Sequence, residues 1–173
     1  MPLDEATLSE LLTMDDMSDI HKKLAYKATK DKSVIDDLIP LLDNKDQRMV
    51  WSVLKTFDYM SKYDFELIKP ALPKIVEHLS DRFSPTRNMA SVILLNTARR
   101  KPELVAEFAE EYMKFLESEN DYERRDAAEF LISIAKLRPE LVKKYLPRIK
   151  ELRKTEDNPV VQYMFDEAIK KLS

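Results

Sequence analysis

Apolar positions along this chain keep two beats at once. Locally they fall three and four residues apart, which lines them up on one face of a helix. Over longer distances they recur every 37 residues, as Phe57, Leu94, Leu131, then Leu67, Leu104, Leu141, then Ile68, Val105, Val142. Polar positions share the longer beat: Lys62, Arg99 and Lys136 form one register, Glu66, Glu103 and Glu140 a second, and Ser84, Asp121 and Asn158 a third. The last three are all residue types that cap helix N-termini. A fixed period in this range indicates stacked copies of one supersecondary unit, none able to bury its apolar face alone.

The pattern predicts about ten helices. Three short ones, over 4–13, 17–29 and 33–43, make an irregular first repeat, with Pro40 in the path of the third. Regular pairs follow over 46–62 and 65–80, 84–100 and 102–118, 121–137 and 139–154, and a last helix runs over 159–172. Pro85, Pro102 and Pro139 each fall where a first helical residue is expected, a position at which the missing N–H costs nothing. The expected fold is all-α, a right-handed α-α superhelix of four and a half hairpins. It is expected as a single domain: a degenerate N-terminal repeat over 1–43, three regular repeats over 44–157, and a capping helix over 158–173.

One repeat carries more than the period. The run from Leu72 through Pro73, Lys74 and His78 to Asp81, followed by Arg87, Ala90 and Leu94, resembles a HEAT repeat, an armadillo-like α-solenoid unit. The resemblance implies that Asp81 and Arg87 tie neighbouring repeats together. Elsewhere the signature is partial. Glu110 replaces the Pro and Ser118 the Asp while Arg124 keeps the Arg; Pro147 keeps the Pro while Thr155 and Val161 drop the pair. Tetratricopeptide and ankyrin arrays have shorter periods and rely on Gly.

The chain of 173 residues contains no Gly at all, which removes Gly-rich phosphate loops and dinucleotide fingerprints. It also contains no Cys, so disulfides and thiolate metal sites are out, and the expected compartment is the cytoplasm. Asp4, Glu5 and Glu10 stand where a signal peptide would be basic then apolar, and the aliphatic run Val92 to Leu95 is too short to span a membrane. The segment Asp15-Asp16-Met17-Ser18-Asp19 resembles the magnesium-binding motif of prenyl-diphosphate enzymes. No second such motif accompanies it, and helix capping accounts for the acids. The two histidines, His21 and His78, lack the partners of a metal site or a catalytic triad. HEAT-like oxygenases need several His-Glu pairs, which the chain lacks; HEAT-like DNA glycosylases rely on aromatic and acidic residues in a basic groove, which the net charge of −3 and the lack of a matching cluster disfavour. No cofactor, no metal and no enzymatic activity are expected.

A binding role is what remains. Residues 1–47 carry 6 basic and 11 acidic side chains, whereas 122–173 carry 12 basic and 9 acidic. Lys62, Arg99 and Lys136, flanked by Arg100, Lys101 and Arg138, predict a basic edge at the ends of the first helices. Lys143, Lys144 and Arg148 predict a charged face on the second helices. Trp51, the single Trp, is a candidate interface anchor or a packing residue against the shorter first repeat. The function expected is a non-catalytic protein-interaction scaffold, monomeric or weakly homodimeric. The alternative is binding of nucleic acid or an acidic partner through the basic edge and basic C-terminal half.

Overall fold

A computed structural model describes residues 3–15 and 18–173, and every regular element among them is helical. The chain divides into two compact units, Met1–Ile93 and Leu94–Ser173. The first holds α1 (Glu5–Leu11), α2 (Ile20–Ala28), α3 (Ser33–Leu38), α4 (Gln47–Tyr63) and α5 (Leu72–Glu77). The second holds α7 (Ala109–Met113), α8 (Asp121–Ala135), α9 (Pro139–Val142), α10 (Leu146–Thr155) and α11 (Pro159–Leu172). The residues of α6 (Ser84–Arg100) are divided between the two. With the 3-10 segments that abut them, these make the ten helical stretches that the apolar pattern predicts.

The period is visible in the coordinates. First helices begin at Gln47, Ser84 and Asp121, each 37 residues after the last. The α segments of the second helices begin at Leu72, Ala109 and Leu146, again at that interval. The expected second helices, however, are not continuous. Two open with 3-10 turns, Phe65–Ala71 and Pro102–Leu104 with Ala106–Phe108, and the third opens with α9 followed by the 3-10 turn Lys143–Tyr145, before the main α segment starts. Val105 and Val142 occupy the break with nearly the same backbone, φ −123° and −118°, and both are wholly buried. A β-branched anchor fits poorly in a helix interior. Where the α segment restarts, Pro73 and Pro147 sit in its first turn, so the signature Pro costs no hydrogen bond.

Without Gly, first helices end by another device. Lys101 and Arg138 leave the helical region at φ −138° and −132°, each immediately before a proline. The ring of a proline crowds the preceding residue out of the α conformation, which stops the helix with no left-handed residue. In the first unit Asp64 is extended instead, and its carboxylate accepts from the Glu66 N–H.

The turn leading into each first helix is built the same way each time. Asn44, Asp81 and Ser118, spaced by 37, each accept from the N–H two residues on, at 2.8, 2.9 and 3.1 Å. Asp46 and Asn120 then cap α4 and α8, so the cap expected at Asp121 lies one residue earlier. Asp121 instead accepts from the Asn158 side chain at 2.6 Å, linking the starts of α8 and α11. A long side chain closes the second and third of these turns. Arg87 donates to the Asp81 carbonyl and Arg124 to the Ser118 carbonyl, both at 2.9 Å. A serine therefore serves as well as the signature aspartate, because the bond goes to the backbone.

In the last turn every role moves on by one residue. Glu156 accepts from the Asn158 N–H, Asn158 caps α11, and Gln162 donates to the Glu156 carbonyl at 2.6 Å. Thr155 and Val161 thus do not mark a lost pair; one extra residue has carried it to Glu156 and Gln162. Glu156 also receives Arg124 in a two-pronged ion pair at 2.7 and 2.9 Å.

Each unit has its own core. In the first, Leu11, Leu24, Leu38, Val50, Phe57, Met60, Ile68 and Ile75 are buried. The Ser52 hydroxyl donates to the Leu11 carbonyl, which pins α1 to α4. In the second, Tyr112 stacks on Phe130 at 4.2 Å, and Leu131, Ile134, Ile149, Val161 and Phe165 surround the same core. Phe57, Leu67 and Ile68, the first-unit members of the 37-residue apolar registers, are buried as predicted.

Two outcomes follow from the turns. Asn158→Ala is expected to cost about 1–2 kcal/mol in urea unfolding, since it removes a cap. Asp121→Ala, which leaves the Asn120 cap on the shared Tyr122 N–H in place, is expected to cost clearly less; equal losses would misplace the cap. Acid provides the other check. Hydrogen bonds from Arg124 hold Glu156 below the usual carboxylate range, against the burial that would raise it. A group depressed in the folded state contributes stability above its unfolded value of about 4.3 and loses it as pH falls through its folded value. Glu156→Gln should therefore destabilise at neutral pH and flatten the decline between about pH 5 and 2. A decline as steep as the parent's would remove Glu156 from that role.

Candidate interaction surface

The basic edge expected at the first-helix ends is largely tied to acids of its own chain. Lys62, in the last turn of α4, lies 3.2 Å from Asp58 and 4.3 Å above the Tyr59 ring. Arg99 makes a forked pair with Glu129 at 2.5 and 2.8 Å and also donates to Asn96. Lys101 stands 4.0 Å from Glu103, and Arg138 bonds Glu140. Arg100 and Lys136 have no acid partner among the described residues. Beside Arg99, burial raises Asp126 above the usual carboxylate range, with the adjacent Arg125 opposing it.

The second-helix face is more regular. Arg148 of α10 pairs with Glu117, which lies before α8, and Lys144 reaches Glu110 of α7 at 3.8 Å. In the first unit Lys74 of α5 pairs with Asp43 at 2.9 Å. Lys74 and Arg148 are two periods apart, as are Asp43 and Glu117, so one repeat-to-repeat ion pair occurs at the same register in both units. The intermediate register holds Glu111 and Ser80, and one Glu111 oxygen is buried without a hydrogen bond among the described residues. Lys143 is exposed and has no acid partner among those residues. The Tyr145 hydroxyl is raised above its ordinary value, mainly by burial.

Trp51 is 9% exposed and meets His21 of α2 edge to face at 6.0 Å, so its ring serves the packing of α2 on α4. His78 bridges the Leu42 carbonyl at 3.0 Å and Asp81 at 3.3 Å, a structural pair of contacts. Asp16 and Met17 of the aspartate-rich segment lie outside the described residues. Asp19 precedes α2 but its side chain makes no cap bond; Ser18 accepts from Ile20 N–H instead, so the expected capping by aspartates is not what Asp19 does. Among the described residues no three His, Asp or Glu side chains gather as a metal site requires.

Another cluster lies on the first unit. Tyr26 and Tyr63, one period apart, are 56% and 54% exposed and touch at 6.2 Å between ring centres. Around them stand Lys22, Lys30 and Lys62, each above a tyrosine ring. Both signals stand in the sequence: the tyrosines share a register, and no acid occurs from Ile20 to Lys30. The excess of acid over residues 1–47 hides them.

The whole chain is similar to solved repeat structures. An engineered protein from a structural genomics programme matches with a TM-score of 0.67 at 20% identity, covering 95% of this chain and 77% of that one. A designed armadillo repeat protein matches at 0.67 and 18%, covering 96% and 82%. A second, from computationally designed armadillo repeat proteins for modular peptide recognition, matches at 0.66 and 18%, with the same coverage. The fold is an armadillo-like helical solenoid. The sequence matches no known family profile and no curated protein. No helix among the described residues is long and apolar enough to cross a membrane.

The ion pairs make a graded expectation. Arg99→Gln breaks a forked, partly covered pair and should cost about 0.5–1 kcal/mol, whereas Arg148→Gln breaks an exposed one and should cost clearly less. Thermal melts at low and high salt check the order, and a reversed order would refute the assignment.

Proposed function

We propose that the chain is a non-catalytic scaffold that binds a segment of another protein on its second-helix face, through Lys143, Lys144 and Arg148. The observation that carries this reading is the recurrence of one exposed ion pair at one register, Lys74 with Asp43 and Arg148 with Glu117. Such pairs contribute little to stability, so their regular placement is better suited to recognition, where charge sets register and on-rate. The fold supports it as well, since one of the similar structures was designed for modular peptide recognition.

Nucleic acid is the less favoured partner. Of the nine candidate cations, Lys62, Arg99, Lys101, Arg138, Lys144 and Arg148 already face an acid. Phosphate binding draws its energy from uncompensated charge, which such pairing removes. Trp51 has no part in the proposed surface.

Peptide display against the immobilised chain tests the reading. An enriched peptide is expected, and Lys143→Glu/Lys144→Glu/Arg148→Glu should weaken it by about tenfold or more, or 1.4 kcal/mol, without changing the melting temperature. No enrichment, an affinity indifferent to the triple substitution, or tighter binding to duplex or single-stranded oligonucleotides would refute it.

A further inference from the structure

The α2–α4 surface of the first unit reverses the sign of its surroundings. The chain carries a net charge of −3, and its first 47 residues hold 11 acids against 6 basic residues, yet Lys22, Lys23, Lys27 and Lys30 follow one another along α2 and just past its end with no acid between them. The buried side of α2 is Ile20, His21, Leu24, Ala25 and Ala28, which leaves Lys22, Lys23, Tyr26, Lys27 and Lys30 outward. On α4 the facing residues are Tyr59, Lys62 and Tyr63. Lys22 stands 5.7 Å and Lys62 4.3 Å from the Tyr59 ring centre, and Lys30 stands 5.8 Å from that of Tyr26. The result is a surface of ammonium groups interleaved with tyrosine rings.

The acids in reach leave most of this charge uncompensated. Asp58 takes Lys62 at 3.2 Å. Asp4 and Asp31 lie in the field of Lys27, but each is committed to its own turn, to Thr7 and Ser33. Lys22, Lys23 and Lys30 have no acid partner among the described residues. Rings beneath the ammoniums hold these long side chains partly ordered, which lowers the entropy lost when a partner binds. The partner is therefore an anion, and the rings decide its class. Base stacking needs open aromatic faces. Here two lysines cover Tyr59, one covers Tyr26, and Tyr26 and Tyr63 stand 58° apart, so they present no shared stacking plane. Carboxylates need only the ammoniums and the phenol O–H groups, while the exposed ring edges suit apolar side chains between the acids.

We infer that the α2–α4 surface docks an acidic peptide segment of a partner protein, with Lys22, Lys23 and Lys30 receiving its carboxylates and Tyr26 and Tyr63 its apolar side chains. This site shares no residue with the second-helix face, and it can stand or fall separately from that proposal.

Fluorescence anisotropy with a labelled Glu-rich peptide interspersed with Leu and Phe is the test, using the full chain at low salt. Saturable binding is expected, weakening steeply as salt is added. Lys22→Gln/Lys23→Gln/Lys30→Gln should weaken it by about tenfold or more, and Tyr26→Ala/Tyr63→Ala by about threefold or more. All five positions are exposed, so unchanged thermal melts should accompany both variants. Lys143→Gln/Lys144→Gln/Arg148→Gln should leave the affinity unchanged. Absence of saturable binding, or indifference to the lysine variant, would overturn the inference. Equal loss in the Lys143 variant would move acid recognition to the second-helix face. Tighter binding of oligothymidylate at the same lysines would replace the peptide by nucleic acid.

Discussion

A polar side chain reaching back six residues to a backbone carbonyl is the contact that closes three successive turns between repeats. Arg87, Arg124 and Gln162 make it in turn, to Asp81, Ser118 and Glu156. A turn between helices exposes carbonyls that no helical N–H can reach, and unpaired backbone acceptors beside a core are costly. The bond satisfies one of them and sets where the next helix starts. Because its acceptor is backbone, the residue at the turn's first position is constrained only to accept from the N–H two residues on. Asn44, Asp81 and Ser118 all do so. That freedom explains why the family-like signature fades along the chain while the geometry persists.

Apolar registers were the most legible feature of the sequence, because burial tolerates few substitutes at a position such as Phe57, Leu94 or Leu131. In the regular repeats helix starts were legible to within a residue, whereas α2 begins at Ile20 rather than at 17. At α8 the reason is plain: Asn120 and Asp121 are both good caps, and only the backbone at Asn120, φ −85° and ψ 118°, shows which one is used. The split second helices were not legible, since Val105 and Val142 look like ordinary core positions. Nor was the shift at Glu156, because a strict period compares Thr155 with Ser118 and finds nothing.

The surface was harder to read than the core. Charges that recur in sequence recur for two reasons, pairing and recognition, and only distances separate them. Arg99 and Arg100 are neighbours with the same side chain, yet one is clamped by Glu129 and the other faces solvent. Averaging charge over long segments conceals local reversals, which is how the basic run on α2 escapes notice inside an acidic stretch.

Among the described residues only Met14 has a positive φ, and the chain has no glycine to offer one. Nearly every position therefore lies in backbone conformations open to all ordinary L-residues. Exposed side chains can be exchanged without a conformational penalty, and the unfolded chain, lacking glycine, has fewer states to lose on folding. A repeat fold of this kind separates two inheritances: the turns and buried registers carry the architecture, and the outer positions are free to drift.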